Sequence, residues 1–122
     1  MQRFTDLNVW QRSHQLVLTL YKLTAAFPVD ERFGLVSQLR RAVASVPTNI
    51  AEGSKRQSRA EYARFLNVAE ASLAETEYLL ILSKDLGFLR PEAFSETVDE
   101  IAAIARMLHA LRSKVERATR GS

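Results

Sequence analysis

Ser37-Gln-Leu-Arg-Arg-Ala-Val-Ala-Ser-Val-Pro-Thr-Asn-Ile-Ala-Glu-Gly53 reads as a helix with a proline in its interior. Pro47 has no N–H to give the carbonyl of Val43, and its ring crowds that carbonyl. It also pushes Val46 away from helical geometry. Apolar residues nevertheless keep helical spacing through Leu39, Ala42, Val43, Val46 and Ile50. Val46 would be a poor cap for a new helix beginning at Pro47, so one helix kinked near Pro47 fits better than two. Gly53 suits a left-handed helix stop. Ser45, Thr48 and Asn49 bracket the proline and can supply side-chain hydrogen bonds to the freed carbonyl. Glu52 stands at a helix C-terminus, where the dipole disfavours it. It calls for a cationic partner, Arg56 or an arginine of another subunit.

On the N-terminal side, Thr5 or Asp6 can cap a helix running to about Ala26, before Phe27-Pro28. Its apolar residues form two stripes, Leu7/Trp10/His14/Val17/Tyr21/Thr24 and Leu16/Leu20/Leu23/Phe27. Together they exceed the face of about 100° that a surface helix buries, so part of this helix is expected to meet another surface. Asp30-Glu31 opens the second helix with favourable charge. On the C-terminal side, Ser58-Arg-Ala-Glu61 is a capping box, and Leu86-Gly87-Phe88 a Schellman stop. Pro91 fits the first turn of a fourth helix. Its core stripe is Phe94, Val98, Ile101, Ala105, Leu108, Leu111 and Val115. The sequence thus predicts an all-α, up-down-up-down bundle in one domain, with helices near 7–26, 31–53, 58–86 and 91–118.

The composition of the 122 residues is that of an ordinary soluble domain, 47% hydrophobic and 25% charged. With no cysteine there is no disulfide, thiolate site or thiol nucleophile. The N-terminus has no apolar signal core, and no apolar run reaches the roughly 20 residues of a membrane span. A cytoplasmic location and no membrane partner are expected. His14 and His109 lack the Glu-x-x-His context of di-iron bundles. No metal and no cofactor are expected. His14 is expected as a packed core or interface residue, and His109 at the surface. No nucleophile elbow or glycine-rich phosphate loop is present. Glu70 and Glu77, two turns apart, read as an ion-paired or solvated face. No catalytic residue is assigned, and an enzyme is not expected.

Charge is segregated along the chain. Residues 31–64 hold seven Lys/Arg against three Asp/Glu, residues 65–100 two against eight, and residues 101–122 five against one. Thirteen of the seventeen cations are Arg, the side chain whose fork fits phosphate or carboxylate. Arg40, Arg41, Lys55, Arg56, Arg59 and Arg64 are therefore the candidate nucleic-acid-binding residues. Tyr62 could stack on a base, although its spacing with Phe65 and Leu66 favours the core. The competing reading is basic helices paired with an acidic one, in the same chain or a neighbour.

The Ser37–Gly53 stretch, with Phe4-x-x-Leu7-x-Val9-Trp10, Phe27-Pro28-x-x-Glu31-x-Phe33-Gly34-Leu35, Arg56…Ser58…Glu61-Tyr62…Phe65-Leu66 and Ala69…Ser72-Leu73-x-Glu75, resembles a known family. It is that of the four-helix-bundle proteins encoded by intervening sequences in bacterial 23S rRNA genes, also grouped as S23-type ribosomal proteins. The likeness covers most of the chain up to Gly87; helix 4 agrees only in pattern, best at Arg106-Met107-Leu108. Glu70-Ala71-Ser72 departs from the family, which often has glycine before the serine. The resemblance implies a ring-forming bundle, a homopentamer. It also implies kinship with the accessory proteins of diversity-generating retroelements, which bind nucleic acid and a reverse transcriptase and are far more basic than this chain at +3. Pro47, Asn49, Glu52 and Gly53 are then motif residues with a structural role. The expected partners are further copies of the chain, RNA or DNA through the basic surface, or another protein docking on the ring. It implies no biochemical activity.

Overall fold

Four α-helices, α1 (Asn8–Thr24), α2 (Leu35–Ser54), α3 (Arg59–Asp85) and α4 (Pro91–Arg120), make up nearly all of the computed structural model, which describes residues 3–120. Short 3-10 turns at Phe4–Asp6 and Val29–Glu31 precede α1 and α2, and no strand occurs among the described residues. Each helix packs on its chain neighbours, and α1 closes the bundle against α4. The arrangement is up-down-up-down. One apolar core runs through it, with Leu20, Leu39, Val43, Val46, Ile50, Leu66, Leu80, Ile104 and Leu108 fully buried.

Local chemistry sets the ends of α3 and α4 as the sequence suggests. The hydroxyl of Ser58 accepts from the Glu61 N–H at 3.0 Å, supplying the N-cap half of the capping box. At the other end Gly87 adopts φ +82°. Phe88 N–H donates to Ser83 O and Gly87 N–H to Lys84 O, both at 2.9 Å, which is the Schellman pattern. Pro91 occupies the first turn of α4, where its missing N–H costs nothing.

Helix α1 starts within one residue of expectation but without its expected cap, and α2 starts four residues late. Thr5 and Asp6 are taken up in the 3-10 turn, so α1 begins after Leu7 with no side-chain cap. Helix α2 begins at Leu35 rather than at residue 31, because residues 29–31 form their own turn. Glu31 still serves the helix dipole from there: its Oε1 accepts from the Leu35 N–H at 3.3 Å.

The core register also needs correction. Val9, Ser13, Thr97 and Ile104 are buried, while His14 is exposed with its ring stacked parallel to Trp10 at 5.3 Å. Polar residues reach the core because each hydroxyl bonds a carbonyl one turn back. Ser13 donates to Val9 O, Thr76 to Ser72 O, Ser83 to Leu79 O and Thr97 to Ala93 O, at 2.7–2.8 Å. These residues cost little to bury.

Candidate nucleic-acid interface

Helix α2 runs through Pro47 without interruption, and the proline is buried. The flanking polar side chains do not serve the carbonyl of Val43, as expected, but its successors. Thr48 Oγ1 donates to Ala44 O at 2.8 Å, and Asn49 Nδ2 to Ser45 O at 2.7 Å. Asn49 also reaches Ser45 Oγ at 2.9 Å, and Ser45 shares a hydrogen bond with Ser72 of α3 at 2.9 Å. The motif thereby ties α2 to α3 by a chain of small polar groups.

Gly53 is not a helix stop. It lies within α2 and is buried, its φ is not positive, and the helix continues to Ser54. A Cβ there would stand 2.7 Å from Phe65 Cβ and 3.1 Å from Tyr62 Cδ1. Glycine is needed because the backbones of α2 and α3 approach too closely for any side chain between them. Glu52 is exposed and its carboxylate has no partner among the described residues. The expected pairing with Arg56 is absent, because Arg56 turns the other way and lies over the Phe65 ring, 4.6 Å from its centroid.

The six candidate cations do not form one patch. Arg40 is committed to the bundle: its Nε donates to Thr24 Oγ1 at 3.0 Å and its Nη2 to Tyr21 O at 3.2 Å, with the guanidinium 4.4 Å from the Tyr21 centroid. Arg41 is exposed beside it and donates to Ser37 Oγ at 3.2 Å. Fourteen residues of helix, about 20 Å, separate Arg41 from Lys55. Lys55, Arg56, Arg59 and Arg64 gather at the opposite end, at the α2–α3 turn, and all four are exposed. Arg64 stands over the same Phe65 ring as Arg56, 5.0 Å from its centroid. None of the four has a carboxylate partner among the described residues.

The up-down topology adds cations that linear reading kept apart. Arg112 of α4 is bonded through Nε to Glu70 of α3, and through Nη1 to Glu116 at 2.6 Å. These bonds raise the Arg112 pKa beyond its ordinary value, chiefly through Glu70. With residue 112 opposite residue 70 in antiparallel helices, Arg117 stands level with Phe65, and Lys114 with Val68. Both Lys114 and Arg117 are exposed. The sequence places both in the basic block of residues 101–122, apart from the six candidates. The end of the bundle built from residues 3–10, 50–70 and 112–120 carries nine Lys/Arg against five Asp/Glu, whereas the rest carries eight against nine. Charge is polarised along the bundle axis.

Tyr62 is half-buried at the α2–α3 crossing, and burial pushes its hydroxyl pKa above the usual value. Glu70 is paired with Arg112, in line with an ion-paired face, and His109 is a surface side chain 3.3 Å from Arg112 Nη2. No group of His, Asp and Glu among the described residues could hold a metal ion. No helix there is long and apolar enough to cross a membrane.

Residues 5–110 match the family of 23S rRNA-intervening sequence proteins. The chain belongs to that family. Among solved structures it is similar to a protein of unknown function from the S23 ribosomal protein family of Bacteroides thetaiotaomicron. The two share 24% sequence identity and a TM-score of 0.80, over 86% of this chain and 95% of that one, so the likeness is one of fold. Among curated proteins the sequence finds no match. Membership of the 23S rRNA-intervening sequence family settles the architecture and brings no assigned activity. Nothing in the site indicates catalysis.

Proposed function

We propose that this 23S rRNA-intervening sequence family member is a non-enzymatic, self-associating bundle that binds RNA or DNA through its basic end. The observation that carries the reading is the gathering of Lys55, Arg56, Arg59, Arg64, Lys114 and Arg117, exposed and without carboxylate partners among the described residues, at one end of the molecule. Unpaired cations on a rigid surface release counterions from nucleic acid, which is the main source of sequence-independent affinity. Self-association into a homo-oligomer, a pentamer by family resemblance, is supported by exposed apolar side chains on two faces. They are Leu18 and Tyr21 on α1, and Val68, Tyr78 and Ile81 on α3.

Binding of a structured RNA at low salt tests the nucleic-acid half. Charge reversal of Arg56 and Arg59 together should weaken it by tenfold or more, roughly the effect of losing two phosphate contacts. Absence of binding by the unaltered protein at low salt would remove the reading. A protein-docking adaptor is the second reading, favoured by Phe33 and Val29, which are 90% and 72% exposed at the opposite end. It predicts salt-tolerant association with a partner and indifference to nucleic acid.

A further inference from the structure

Resting on the nucleic-acid reading, we infer that the basic end grips phosphates without reading or stacking bases, so that duplex and single strand are accepted alike. Proteins selective for single strands offer aromatic faces to successive bases, each worth about 1–3 kcal/mol. Four aromatic rings lie at this end, and all are engaged by the protein itself. Phe65 is half-buried and has the guanidinium groups of both Arg56 and Arg64 over its ring. Tyr62 is half-buried where α2 and α3 cross, 3.1 Å from the Cβ position of Gly53. Phe4 meets Trp10 edge-on with centroids 5.3 Å apart, and Trp10 is itself stacked under His14.

The stacked arginines then act differently from a stacking platform. A guanidinium resting on a ring keeps its N–H edge free for a forked contact with phosphate, and the ring limits the freedom it must lose on binding. The partner cations arrive from two parts of the chain, the α2–α3 turn and the last turns of α4.

Competition by an RNA duplex, a DNA duplex and an unstructured oligo-dT of equal length, at one low salt concentration, tests this. The three should bind within about threefold of one another, with steep salt dependence for each. A preference for oligo-dT of about tenfold or more would overturn the inference while leaving nucleic-acid binding intact. Failure to bind any of the three would overturn both. Two variants check the mechanism. Lys114→Glu with Arg117→Glu should weaken all three ligands and flatten the salt slope; unchanged affinity would exclude α4 from the interface. Phe65→Leu, confirmed as folded by circular dichroism, should weaken all three equally, whereas a loss confined to oligo-dT would reinstate base stacking.

Discussion

Gly53 shows how one residue can carry two opposite readings. As a helix stop it would owe its identity to a positive φ; in the structure it owes it to Phe65 Cβ, 2.7 Å from where its own Cβ would lie. Were the space around it open, Gly53→Ala would be stabilising, since alanine inside a helix gains about 0.5–1 kcal/mol over glycine. Here the obstructing atom adjoins the α3 backbone and cannot swing away, and overpacking costs about 1–3 kcal/mol. Gly53→Ala should therefore lower stability by about 1 kcal/mol or more in urea unfolding, and a gain would contradict the close-approach account. The sequence showed that a glycine was required and not why, because the reason sits twelve residues away on another helix. Glu52 teaches the same lesson. Its unfavourable position was legible, but the supposed partner Arg56 proved to be held by an aromatic ring that only the fold brings near.

Helix ends written by local chemistry were read well, and those shaped by preceding turns were not. Ser58, Gly87 and Pro91 each act within a few residues and mark α3 and α4 closely. Helix α1 lacks its expected cap and α2 starts late because 3-10 turns absorb the residues that resemble caps. Core stripes missed Ser13 and Thr97, buried hydroxyls that bond their own helix, since periodicity counts such residues as solvent-facing. Between elements, the Glu70–Arg112 contact fixes the register of α3 against α4, with both side chains about one-fifth exposed. Solvent screening limits what it contributes. Glu70→Ala should cost about 1 kcal/mol in urea unfolding, and Glu70→Gln, which keeps an acceptor for Arg112, about half that. Equal stability of all three proteins would mean that the pair holds no register.

For the whole molecule the informative quantity is where the topology puts charge. Read along the chain, the cations fall into a middle block and a C-terminal block about fifty residues apart, and their union at one end needs an antiparallel bundle to exist. Two-thirds of the candidate surface was thus legible as Lys55, Arg56, Arg59 and Arg64, while Lys114 and Arg117 were hidden by sequence distance, and Arg40 was mistaken for a free cation because its bonds lie on α1. In the proposed assembly the exposed apolar side chains on α1 and α3 would meet further copies and leave the basic end of each bundle open to ligand. The most direct measurement of this account is sedimentation velocity of the protein mixed with a labelled duplex RNA, followed at protein and label wavelengths. The account predicts a species of several copies that carries the RNA at low salt and releases it at higher salt without falling apart, because the bundle contacts are apolar and the RNA contacts ionic. A monomer sedimenting apart from free RNA at low salt would contradict it.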